Sequence, residues 1–137
     1  MGEDLSLCPC GSGTFYTKCC GVFHGGELPK TPEQLMRSRY TAYVRRLGGY
    51  LIDTTHPDSP EFDTDTAAWL GKIHEFCVNN QLKGLKVLQS GENWVLFEIS
   101  YSKPPNSDKN FSYKELSHFS HEKGKWLYLS SELPKQE

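Results

Sequence analysis

The sequence has no long apolar run, and no stretch approaches the roughly 20 residues that a membrane-crossing helix requires. That excludes a transmembrane helix. It also has no block of basic residues, and its formal net charge is -2, which argues against a dedicated nucleic-acid surface. Residues 1–7 carry Glu3 and Asp4 and no apolar segment. No secretory leader is read there, and the cytoplasm is the expected compartment. Internal repeats and low-complexity tracts are absent as well.

What is present suits one compact domain with a small appendage: 137 residues, 36% hydrophobic and 23% charged. Five cysteines are unevenly spread, with Cys8, Cys10, Cys19 and Cys20 crowded near the N-terminus. Disulfides fit this pattern poorly. A bridge wants alpha carbons roughly 4.4 to 6.8 Å apart, whereas adjacent Cys19 and Cys20 are held about 3.8 Å apart by the peptide. Cys8 and Cys10 would close a very tight ring, and nothing routes the chain to an oxidising compartment.

Zinc fits it better. The ion takes four soft ligands in a tetrahedron, and closely spaced thiolate pairs let two backbone segments supply them. Cys8-Pro9-Cys10 and Cys19-Cys20 are such pairs, and Gly11-Ser12-Gly13 gives the backbone freedom to wrap sulfur. Ser12 is expected to cap a short helix over 14–20 that Gly21 ends, with Phe15 and Tyr16 covering the metal. His24 is chemically suitable to replace Cys20 as fourth ligand. With all four positions taken by protein, none is left for catalysis.

Gly25-Gly26-Glu27-Leu28-Pro29-Lys30 reads as a linker, giving units of 1–25 and 31–133. Thr31, Pro32 and Gln34 mark a helix start. Met36, Tyr40, Tyr43, Val44, Leu47 and Leu51 then recur at helical spacing, interrupted at Gly48-Gly49, and His56-Pro57 ends the segment. A further helix from Asp65 to Asn79-Asn80 places Trp69, Leu70, Ile73, Phe76 and Cys77 on one side. The remainder alternates with period two: Leu85 and Val87, then Val95, Phe97, Ile99 and Tyr101, then Phe111 through Phe119, then Trp126 through Leu129. Helices followed by antiparallel strands predict an α+β fold, with the helices on one face of a curved sheet.

Cys8-Pro9-Cys10-Gly11-Ser12-Gly13, with Tyr16 and Cys19-Cys20, resembles the SEC-C zinc motif. That resemblance implies docking, to a chaperone or the ribosome, rather than chemistry. A second set of residues, Leu35-Met36-Arg37-Ser38-Arg39-Tyr40-Thr41-Ala42-Tyr43, Tyr50-Leu51, His56-Pro57 and Leu82-Lys83-Gly84-Leu85, is similar to the bacterial YchJ family. It implies a cone of the nuclear-transport-factor type, with helices in the concavity of a sheet. The chain departs from that pattern where some relatives carry a second cysteine motif at the C-terminus. It departs again where Leu116 or His118 replaces a third-strand arginine.

Two functions follow from different classes. In the first, a zinc (Zn2+) knuckle docks on a protein or ribosome-associated partner, with no role for a membrane and none indicated for nucleic acid. In the second, a small-molecule binder or enzyme uses a cone pocket lined by Tyr40, Tyr43, Trp94, Phe97 and Tyr101. Arg37 and Arg39 flank the apolar stripe of the first helix; one turned into the cone would need a carboxylate or an anionic ligand, and the expectation is instead a pairing with Glu98 or Glu115, or stems packed at the surface. His56, His74 and His118 are candidate general bases by residue type, but no nucleophile is patterned with any of them. Cys77 falls on an apolar stripe and reads as core. The docking module is favoured.

Overall fold

The structure, a computed structural model, describes residues 5–134. Residues 1–4 and 135–137 lie outside the described residues, and with them Glu3, Asp4 and the extreme C-terminus on which the readings of the two ends rest. No helix among the described residues is long and apolar enough to cross a membrane.

The N-terminal segment forms a 3-10 turn, Tyr16–Lys18, and a short helix α1, Cys20–His24. Three helices follow: α2 (Pro32–Val44), α3 (Gly48–Asp53) and α4 (Thr66–Asn79). Four strands complete the chain: β1 (Gln81–Ser90), β2 (Trp94–Lys103), β3 (Asn106–Glu122) and β4 (Lys125–Glu132). They pair antiparallel in sequence order, so the fold is α+β, as the pattern predicts.

The helix signals act as read. The Thr31 side chain accepts from Gln34 N at 3.1 Å, Pro32 opens α2, and Gln34 reaches back to Lys30 N at 2.7 Å. Asp65 caps α4 by accepting from Ala68 N at 3.1 Å. Register shifts at Leu82/Gly84, Val87/Gln89, Ser102/Lys103 and His118/Phe119 interrupt the ladders. Such bulges bend a sheet, and this one curves around its helices.

The concave face carries Val95, Phe97, Ile99, Phe119 and Tyr128, which pack with Leu35, Met36 and Tyr40 of α2. A second buried group, Ala42, Leu51, Trp69, Ile73 and Cys77, fastens α4 to α2 and α3. A bridge between Thr55 and Tyr128 ties the end of α3 to β4, through His56 N to Tyr128 O and Tyr128 N to Thr54 O, each 2.8 Å.

Several expectations need correction. The helix over 14–20 is broken at Cys19, whose backbone leaves helical geometry, and Gly21 lies inside α1 rather than ending it. Ser12 accepts from Thr14 N in a local turn instead of capping that helix. Val44, Leu70 and Phe76 are exposed, because α2 and α4 each present a narrower apolar stripe to the core than the spacing suggests. Pro104-Pro105-Asn106 reads in the sequence as a loop, but only Pro104-Pro105, joined by a cis peptide bond, connects β2 and β3, and Asn106 already belongs to β3.

Candidate metal centre and cone cavity

The knuckle is built from backbone outward. Cys8 N donates to Thr14 O at 2.9 Å, Tyr16 N to Ser6 O at 2.9 Å, and Gly11 N to Cys8 O at 3.2 Å, closing a small hairpin around Cys8 and Cys10. Gly11 (φ 83°) and Gly13 (φ 84°) take left-handed turns that side-chain-bearing residues adopt at a cost. The break at Cys19 then lets two successive cysteines face the same point from a turn and a helix start. Gly21 is required for another reason: a Cβ there would lie 2.7 Å from Tyr16 O.

As a result the four sulfurs of Cys8, Cys10, Cys19 and Cys20 lie within 4.8 Å of one another, and no disulfide joins any of the five cysteines. Cys10 and Cys19 Sγ are 3.6 Å apart, Ser12 Oγ is 3.1 Å from Cys19 Sγ, and Thr41 Oγ1 is 3.7 Å from Cys8 Sγ. A hydrogen bond from Cys20 holds the Cys10 thiol well below its ordinary range, and the same bond together with burial pushes Cys20 up. Burial also raises Cys19, with the neighbouring Cys10 adding to it. Crowded sulfurs of this kind ionise together only when a cation shares their charge. The cluster therefore fits a soft divalent metal, and the residues that would hold it are these four.

His24 is committed elsewhere. Its Nε2 faces Ser38 O at 2.8 Å, and a carbonyl can only accept, so Nε2 carries the proton and Nδ1 accepts from Tyr16 OH at 2.7 Å. Burial lowers its pKa, which suits the neutral ring. Tyr16 packs beside the cysteines with Arg45 over its ring, but Phe15 turns to solvent.

The knuckle does not stand apart from the cone. Cys8, Cys10 and Cys20 belong to the same buried group as Leu35, Met36 and Tyr40. Arg37, one turn after Glu33, binds that carboxylate at 3.0 Å and donates to Cys10 O at 2.8 Å. It serves the knuckle, and its expected pairing with Glu98 or Glu115 does not occur. The i,i+4 spacing hints at Glu33, but nothing in the sequence marks Cys10 O or Thr41 as neighbours across the linker.

Beneath the sheet lies a cavity of about 530 Å³. Tyr40, Tyr43 and Phe97 line it as expected. Trp94 alternates to the other face of β2, and Tyr101 stacks on Phe111 near the far end of the strand. The lining also includes Arg39, Glu61, Glu115 and Trp69. Burial raises the Glu115 carboxyl, partly offset by Ser117. The remaining candidates sit outside it. His56 Nδ1 accepts from Asp58 N at 2.9 Å, its Nε2 is 3.5 Å from Glu122, His74 is exposed on α4, and His118 is 3.8 Å from Glu132. Cys77 is core, with its sulfur 3.4 Å from Tyr43 O.

Residues 31–131 match the family described as YchJ, middle NTF2-like domain. A UPF0225 protein of Pectobacterium carotovorum is 36% identical over 131 residues, covering 89% of this chain and 80% of its own. A UPF0225 protein of Deinococcus radiodurans is 36% identical over 127 residues, covering 90% and 87%. Among solved structures, a SEC-C motif containing protein from Rhodopseudomonas palustris superposes with a TM-score of 0.79 at 28% identity, covering 93% of this chain and 98% of that one. Another, from Psychrobacter arcticus, shares the fold with a TM-score of 0.68 at 20% identity, covering 97% and 85%.

Proposed function

The chain belongs to the YchJ family, and on that premise we propose that Cys8, Cys10, Cys19 and Cys20 hold a zinc ion and that the knuckle is a docking element for a protein partner. Four thiolates suit zinc in a structural site, and with no open position the ion supplies rigidity rather than an activated water.

The observation that carries the docking reading is an apolar pair on the outside of the knuckle. Leu7 and Phe15 face each other across an isolated antiparallel bridge and are 62% and 42% exposed. Leu5, two residues earlier, is exposed as well. Large apolar side chains grouped on a rigid surface mark an interaction site more often than scattered ones do. A preorganised loop loses little entropy on binding. Burying each side chain is worth about 1.5–3 kcal/mol, so a patch this small supports a weak, transient contact.

Site-specific photo-crosslinking from position 18, beside the patch, tests this in bacterial cells. A recurrent protein product is expected from the parent chain. It should vanish in Leu7→Ser/Phe15→Ser, a variant that keeps its metal. Unchanged products from that variant refute docking through the knuckle.

A further inference from the structure

A docking knuckle has no use for the cavity under the sheet, and that cavity contains a charge the fold leaves unmatched. Arg39 is only 7% exposed. Its Nη1 donates to Leu51 O at 2.9 Å, Thr54 Oγ1 at 2.7 Å and Thr55 Oγ1 at 3.1 Å. The Tyr128 ring lies against the guanidinium, its centroid 4.6 Å from Cζ. These contacts fix the group in place without neutralising it. Among the described residues no carboxylate lies within 4.0 Å of Arg39, and its Nε and Nη2 donate to no group.

Where those two nitrogens point follows from the rest of the molecule. No described side-chain nitrogen is both buried and without a partner, and Arg39 lines the cavity. The unbonded Nε–Nη2 edge therefore opens onto it. Such an edge presents two parallel N–H groups at the spacing of a carboxylate's two oxygens. A buried guanidinium left unpaired is costly, and an anion arriving from solvent removes that cost. The walls around it are apolar, with Met36, Trp69, Phe97 and Phe119 among them. About 530 Å³ is the size of a small-molecule site, which ranges over roughly 300–1,000 Å³.

We propose that this cavity binds a small organic acid, with its carboxylate forked on Nε and Nη2 of Arg39 and its ring or branched hydrocarbon body against Met36, Trp69, Phe97 and Phe119. A cationic amine is the competing ligand, since Glu61 and Glu115 also line the space. The anion is preferred because Arg39 is deeply buried with no carboxylate at ion-pair distance, whereas Glu61 is exposed; Glu115 feels the Arg39 charge from across the cavity, but burial favours its neutral form.

Three probes that share a phenyl body separate the possibilities: phenylacetate, 2-phenylethylamine and 2-phenylethanol. Each is titrated into the intact, metal-loaded chain and followed by 1H–15N NMR, including the Arg39 Nε–H signal. Phenylacetate is expected to shift that signal and the Leu51 and Thr55 amides, and to bind roughly tenfold to hundredfold more tightly than the other two, the value of a charge-assisted pair. Arg39→Lys keeps the charge but loses the fork, and should cost about tenfold. Ser131→Trp narrows the cavity from β4; it removes the Ser131 bond to Tyr128 OH but leaves the three Nη1 bonds of Arg39 in place, and should abolish binding even if the lysine variant misfolds. Equal binding of all three probes, tighter binding of the amine, or shifts confined to residues outside the cavity would overturn the proposal. So would the absence of phenylacetate binding up to about 10 mM, beyond the range of a specific site.

Discussion

Removing the metal tests whether the knuckle and the cone are one structure. The linker Gly25-Gly26 suggests that chelation stays local. The packing predicts otherwise, because three of the cysteines share their buried group with α2 and the cone sheet. Besides the weak sulfur contact of Cys8 with Thr41 at 3.7 Å, two hydrogen bonds join the knuckle to α2: Arg37 to Cys10 O at 2.8 Å and His24 to Ser38 O at 2.8 Å. A charged donor contributes about 1.5–3 kcal/mol and a neutral one about 0.5–1.5. Some loss of apolar packing beside Leu35 and Met36 brings the anchorage of α2 to roughly 3–6 kcal/mol. That is a large part of the roughly 5–15 kcal/mol that keeps a domain folded. For a chain of this size about 3 °C accompanies each kcal/mol, so chelation should lower Tm by roughly 10–20 °C. Calorimetry of the native and chelated protein, with metal content measured on both, is the assay. Trp126 is a local reporter for the cone, since its indole donates to Lys30 O at 3.2 Å. A metal-free chain whose Tm stays within about 3 °C of the native value, a shift worth only about 1 kcal/mol, would refute the shared core.

Other perturbations isolate single contacts. The purified protein should carry one zinc per chain with sulfur-only ligation by X-ray absorption, and His24→Gln should leave that stoichiometry unchanged. Nitrogen in the first shell would contradict the His24 geometry. Gly21→Ala must push against Tyr16 O, 2.7 Å from the new carbon, and should cost about 1–3 kcal/mol in urea denaturation. A neutral outcome would mean that the knuckle is looser than drawn. Glu115→Gln should stabilise the protein at pH 7.5. Burial raises the folded-state pKa of Glu115 above its unfolded value, so native stability is lost as pH rises through that window and the advantage disappears at and below about pH 4.5. A gain that persists at low pH would place the effect elsewhere.

The fold class was legible because it rests on local signals: Thr31 and Asp65 at helix starts, His56-Pro57 at an end, and period-two alternation through β2 and β3. The four cysteines were legible for the same reason, since spacing alone restricts what such residues can do together. The apolar spacing overstated burial at Val44, Leu70 and Phe76, because periodicity gives the direction of a stripe but not the width its neighbours cover. The partners of the two arginines were beyond the sequence. Arg37 and Arg39 are two residues apart, so a helix turns them to different sides. One then meets Cys10 O, 27 residues away in the chain, and the other meets Leu51, Thr54 and Thr55. Local spacing determined that a cysteine knuckle and a curved α+β domain would form. Only the packing of α2 between them decided that they share a core, and that Arg39 is buried at the wall of the cavity.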